Sequence, residues 1–410
     1  MQPDEVTVRV WSSSGAPVAG RAVAFLAPDD TPIAEVMTDA TGAASAPMPD
    51  GGSVTIAVAS TGTGGLRPKL YTYLDVKNGD VLDVGSPATT APTTFDITVT
   101  VPAGAASTAQ NFLFHSTCNL NAGNTTSSRQ VTMKIRTGCT SADFYVEAQD
   151  ASYRPISSLY VTGRAVSPGA TIDVGSTFTP VVTSTFTVEN APSFSQITPA
   201  LDLVVGDFYP VVAPFNSPIT LTNGTGTKSL THGSISGASL EKRVYIDDLR
   251  PQLYVTRNAA PDASTLDFDT ADLPSLLDDG AWDATTSTVS WLEIGAVTNV
   301  ATASLRIRGG ADRDFVWMVV GPSSGGTLRF PTLPASLSEF AITPADDVTV
   351  AHVGIGALPG GYDRVRPLLL RVDDLSDSTA FFSPLQGSDR RNKLTYVSAD
   401  GDVAMLASTN

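Results

Sequence analysis

The chain has 410 residues and a formal net charge of −16, with 41 Asp and Glu against 25 Lys and Arg. A surface of that sign repels nucleic acid and anionic membrane faces, both of which need clustered cations, so neither is an expected partner. Only 16% of residues are charged, and 34 Gly with 28 Pro interrupt the chain too often for long helices.

Taken in chain order, the segments read as short β-branched strands between breakers. Val6-Thr7-Val8-Arg9-Val10-Trp11 alternates, and Gly15-Ala16-Pro17-Val18-Ala19-Gly20 turns the chain into Ala22–Leu26. Thr38-Asp39-Ala40-Thr41-Gly42 is a second turn. Tyr71–Val76 and Val81–Val84 flank Asn78-Gly79, the dipeptide of a tight hairpin, so these two strands are expected to pair. Residues 86–94, rich in Thr, Pro and Ala, read as a linker. A second alternating run opens at Phe95–Pro102, followed by Phe144–Ala148, Leu159–Thr162 and Thr171–Val174. Thr183–Pro192 echoes that opening and marks a third segment, which shares no clear linker with the second. The last region carries Trp291, Leu305, Trp317 and the Pro-flanked Leu328–Pro334. Asp272–Leu277 and Pro334–Phe340 have capped, one- or two-turn helical patterns and are expected as connectors.

The expected fold is all-β, a tandem array of three to four β-sandwich domains over 1–86, 94–180, 181–275 and 281–410, with the middle two open to merging. The first and last of these are expected to fold by themselves. The order strand, Gly-x-Pro-Val turn, strand, Thr-Asp-x-x-Gly turn over about the first 85 residues resembles the prealbumin-like sandwich of carboxypeptidase regulatory-like and collagen-adhesin B-type domains. Near residues 282–375 the spacing of Trp and Pro is weakly similar to fibronectin type III. The first resemblance implies a non-catalytic module of a bacterial surface protein. Its family often forms an internal Lys–Asn cross-link, but Arg9 stands where a Lys would be wanted, so no such bond is expected.

Cys118 and Cys139 are the two cysteines, 21 positions apart. A hairpin of Phe112–Cys118 with Val131–Thr137 would leave the sulfurs at opposite ends, too far apart to bond. A disulfide therefore requires residues 119–130 to cross the sandwich, and is favoured over two separate thiols because it suits an exported chain. Three scattered histidines, His115, His232 and His352, have no metal-ligand spacing. Gly233-Ser234-Ile235 lacks the spacing of a nucleophile elbow. Asp267, Asp269, Asp272, Asp278 and Asp279 form the densest acidic cluster and are the candidate calcium ligands, with solvated turns as the alternative. The Trp residues are expected as core anchors, a carbohydrate platform being the other reading.

No catalytic residue and no cofactor other than calcium is expected. No run of 18 apolar residues spans a bilayer. Strand pattern begins almost at Met1, as in a mature chain freed of an export signal; the alternative is a cytoplasmic β protein. The expected place is the cell surface, as an outer-membrane lipoprotein anchored upstream, or the medium. The expected role is structural or adhesive, toward a protein or glycan ligand. A glycan-binding array is the alternative, and a filament subunit or a carboxylate-dependent glycosidase stands behind it.

Overall fold

The computed structural model describes residues 5–12, 15–62, 65–85, 93–118, 124–191, 196–205, 211–213, 218–247, 252–259, 264–269, 275–276, 280–294, 298–309, 313–357, 361–366 and 394–398. Nearly all of them are strand or turn, as the density of Gly, Pro and β-branched residues requires.

The first unit holds β1 (Glu5–Val10), β2 (Ala22–Leu26), β3 (Pro32–Met37), β4 (Ala43–Pro47), β5 (Gly52–Gly62), β6 (Gly65–Val76) and β7 (Val81–Val84). One sheet runs β4-β1-β7, and the facing sheet ends in β6-β5-β2-β3. Val6, Val8 and Val10 alternate inward from β1 and meet Val23, Phe25, Ile56, Tyr71 and Tyr73 in one core.

This topology then repeats. The second unit comprises β8 (Thr94–Thr100), β9 (Asn111–Ser116), β10 (Asn124–Thr126), β11 (Gln130–Arg136), β12 (Ser141–Gln149), β13 (Pro155–Ala165), β14 (Thr171–Asp173) and β15 (Thr179–Pro180). Its sheets run β11-β8-β14 and β10-β9-β12-β13-β15. The third comprises β16 (Val182–Glu189), β17 (Gln196–Val204), β18 (Val211–Ala213), β19 (Gly226–His232), β20 (Ser239–Asp247), β21 (Gln252–Ala259) and β22 (Thr265–Asp269), with sheets β19-β16-β22 and β18-β17-β20-β21. In each unit the first strand lies between the fourth, antiparallel, and the seventh, parallel.

The fourth region contains β23 (Ser275–Leu276), β24 (Ala281–Asp283), β25 (Thr288–Ser290), β26 (Glu293–Ile294), β27 (Val300–Gly309), β28 (Arg313–Gly321), β29 (Thr327–Arg329), β30 (Asp347–Ala357) and β31 (Leu394–Ser398). The order β28-β27-β30-β31 matches the larger sheet of the other units. Its small sheet, β24-β25-β29, departs from them: antiparallel β24 takes the place beside the central β25 that a parallel seventh strand holds in the other units. A 3-10 turn over Ala335–Phe340 follows Pro334, as its pattern indicates. Ser275–Leu276 is strand where a helical connector was expected, because it pairs with Glu293–Ile294. The rest of that connector lies outside the described residues.

One expectation changes in space. The strands around Asn78-Gly79 do not form a hairpin. The turn closes locally, with Asp80 N–H on the Lys77 carbonyl at 3.1 Å, but β7 then leaves β6 and pairs in parallel with β1. Leu82 and Val84 are buried there in the core between the sheets, and Tyr73 Oη donates across the sandwich to the Asp83 carbonyl at 2.7 Å. Residues of 1–86 and of 281–410 also meet in space. β28 pairs in parallel with β6, Val316 opposite Lys69 through Val320 opposite Tyr73, so the two regions share one sheet. β31 pairs with β21, which extends that sheet to twelve strands through the third unit.

Candidate functional site: the joints between units

The seam between β6 and β28 is built from strands that are apolar on both faces. Ala22, Ala24 and Leu26 of β2 and Leu70 and Leu74 of β6 point away from the first unit's own core. They are covered by Val289, Trp291, Leu328, Phe330 and Leu337 of the fourth region. The shared sheet is thus a middle layer with a core on each side, the arrangement that produces unbroken apolar runs. Within the second core, Trp317 donates its indole N–H to Thr72 Oγ1 at 2.9 Å, and Thr72 bonds Thr55 Oγ1 at 2.8 Å. Both threonines are fully buried. At the end of the seam, the Tyr362 hydroxyl reaches the carbonyls of Leu74 (2.8 Å) and Val320 (3.2 Å). Arg366, 1% exposed, grips Asp80 with two N–H groups at 2.7 and 3.0 Å and Asp363 at 2.6 Å.

The joint between the second and third units is polar instead. Even-numbered residues of β12 (Ala142, Phe144, Val146, Ala148) enter the second unit's core, so Tyr145, Glu147 and Gln149 face outward. The third unit covers the first of these. Tyr145 lies in one apolar cluster with Phe186, Val188, Leu201, Leu203 and Leu240. Its hydroxyl donates to Glu147 Oε2 at 3.1 Å, and Gln149 Nε2 donates to Glu147 Oε1 at 2.8 Å. Burial pushes the Glu147 carboxyl up to about 7, against those two hydrogen bonds. His232, also fully buried, is held between Ser184 Oγ (2.9 Å) and the Gly233 carbonyl (2.7 Å), and burial lowers its pKa.

Cys118 and Cys139 form a disulfide with Cα atoms 6.3 Å apart. β9 and β11 lie in different sheets, so the chain between the cysteines crosses the sandwich, the condition the spacing imposed. Asp267 and Asp269 sit exposed on β22, and Asn190 Nδ2 donates to Asp269 Oδ1 at 2.8 Å. Asp272, Asp278 and Asp279 lie outside the described residues. Among the described residues no group of three or more His, Cys, Asp or Glu is placed to hold a metal ion. His115 is buried beside Tyr145, with ring centroids 6.1 Å apart. His352 lies on β30 opposite Ser304, so the histidines fall in separate places.

The tryptophans anchor packing. Trp291 and Trp317 are 4% and 3% exposed, and Trp282 and Trp317 each meet the Phe330 ring edge-on. Trp11 donates to Asp83 Oδ1 at 3.1 Å. Asp83 also accepts both arms of Arg9, at 2.7 and 2.8 Å, so an ion pair joins the first and last strands of the first unit. Sequence reasoning noticed Arg9 and missed its partner. The polar face of β12 was missed too, although Tyr-x-Glu-x-Gln on an internal strand is the signal of a face that meets something other than the unit's own core.

No helix among the described residues is long and apolar enough to cross a membrane. No protein-family model matches the chain, and no curated protein matches it. Solved structures give faint likenesses. The major pilin subunit of Bacillus cereus is 9% identical over 65% of this chain and 97% of its own, with a TM-score of 0.16. A streptococcal ancillary pilin is 8% identical over 65% and 98%, at 0.15. The Bacillus anthracis TIE protein is 10% identical over 65% of this chain, at 0.15, and the chain spans about half (49%) of its length. Overlap this small carries no inference about role.

Proposed function

We propose that this chain is a non-catalytic, exported bacterial surface protein with a structural or adhesive role, divided at 1–86, 94–180, 181–275 and 281–410. The observation that supports this reading is the closure of the first unit on the fourth. Apolar faces and fully buried polar side chains are committed there to fixing the placement of sandwiches, not to a concave reacting site. Its ligand is a protein or glycan met by loops at the sandwich ends, and its attachment is a lipid anchor upstream or release to the medium. Antibody against the chain should label intact native cells or their medium before lysis. Signal that appears only after lysis overturns export, and turnover of a panel of chromogenic glycosides overturns the non-catalytic assignment.

A filament role has one observation in its favour. β3 ends the twelve-stranded sheet and shows Ile33 (39% exposed) and Met37 (58%) to solvent. An apolar edge is a template for strand addition. Met37→Lys should then reduce concentration-dependent light scattering, and a wild-type chain that stays monomeric at every concentration ends that reading.

A further inference from the structure

We propose that the contact between the second and third units is a proton-gated joint, closed when Glu147 carries a proton and loosened when it is ionised. The geometry comes first. Glu147 is 1% exposed, on the outer face of a sheet, where a carboxylate would ordinarily be solvated. Another unit stands against its partner: the Tyr145 hydroxyl that bonds Glu147 also meets the Gly233 backbone, and the Tyr145 ring packs into the third unit's apolar cluster. The fit is close enough to exclude a side chain. A Cβ on Gly233 would overlap the Tyr145 hydroxyl and come within 2.6 Å of Ser158 Oγ. Opening this joint therefore rehydrates Glu147, and closing it strips the carboxyl of water.

The groups around the carboxyl do not compensate its charge. Across the sheet Glu147 is paired with Leu113 on β9 and Ser158 on β13, neither of them ionisable. β9 also brings His115 against the Tyr145 ring. β12 and β13 bring Asp143 and Tyr160, which hydrogen-bond each other at 2.9 Å, and burial raises the Tyr160 pKa. From the third unit comes His232, kept toward neutrality by its own burial. Among the described residues, what acts on the Glu147 carboxyl is burial, which raises its pKa, and hydrogen bonds from the neutral Gln149 and Tyr145, which lower it.

The sign follows from the direction of the shift. The closed joint holds the carboxyl at about 7, above the ordinary value of 4.5, so closure is unpenalised below about 4.5 and weakens as pH rises through 7. The ratio of open to closed joint should rise on the order of a hundredfold across that window. Protonation of His232 opposes closure on the acid side of about 6.5, which makes the difference between wild type and a Glu147 variant the informative quantity.

Amide hydrogen exchange over residues 229–240 of the full chain, corrected for intrinsic rates, reads the joint between pH 5 and 8. Wild type should lose protection as pH rises, Glu147→Gln should keep it throughout, and Gly233→Ala should lack it at every pH. Equal pH dependence in wild type and Glu147→Gln overturns the proposal. Should Glu147→Gln fail to fold, carbon NMR of the wild-type chain labelled at glutamate carboxyls decides instead. A resonance titrating near 7 is expected, and the absence of any glutamate titrating above about 5 overturns the gate.

Discussion

Arg9 and Asp83 show how one position is settled by a partner 74 residues away. The Asp83 side chain is 1% exposed and that of Arg9 is 39% exposed, so the two halves of the pair are not equivalent. Arg9→Ala leaves a buried carboxylate without its cation and should cost about 3 kcal/mol. Asp83→Ala leaves an arginine that can turn to water, and should cost about 1 kcal/mol. Urea unfolding of both variants checks the order, and equal losses would contradict it. Thr72→Val tests the seam in the same way. It removes the acceptor of a buried indole N–H, and a loss of about 1–3 kcal/mol is expected. Arg9 was legible as the wrong residue for a Lys–Asn bond. Asp83 was not, because nothing local ties residue 83 to residue 9.

Among the elements, the alternating strands were the readable ones. β1 and β8 bury every second residue, and a period of two survives any tertiary context that leaves one face outside the core. β2 reads differently: Ala22-Val23-Ala24-Phe25-Leu26 is apolar at every position, the mark of a strand covered on both faces. That run was a legible sign of the second core over the first unit. The Asn78-Gly79 turn shows the limit of local chemistry, since it fixes a reversal of the chain but not whether the next strand joins the same sheet. The disulfide is decided at this scale as well. It ties the end of β9 to the turn between β11 and β12, joining the two sheets of the second unit. Unreduced protein should take up no alkylating reagent by mass, and reduction should lower stability by about 3 kcal/mol for a loop of this length. Uptake of two labels without reductant would contradict the bond.

At the scale of the whole molecule, an all-β chain of several sheets was legible from breaker spacing, while the association of its first and last regions was not. Pairing of β6 with β28 depends on sheet edges, which leave no periodic trace, and an apolar outer face such as that of β2 shows that it is covered without showing by what. Residues 1–86 expressed alone should therefore be poorly soluble or self-associated, since Ala24, Leu26 and Leu70 lose their cover. Mixing with residues 281–410 should give a one-to-one complex by size-exclusion chromatography. A monomeric 1–86 fragment with a cooperative melt of its own would show the seam to be dispensable.

The bond from Trp317 to Thr72 spans 245 positions, and that separation also acts on the nascent chain. A ribosome adding roughly 5–20 residues per second needs on the order of ten to fifty seconds between the two. During that interval the β6 edge and the apolar outer face of β2 have been made, but the strands that cover them have not. The second and third units can mature meanwhile, because their cores draw on nearby sequence. The first unit waits for the fourth, so of these sandwiches the one synthesised before the others is the one whose burial finishes late. A holding chaperone, or passage out of the cell before the sheet closes, would have its use in that gap.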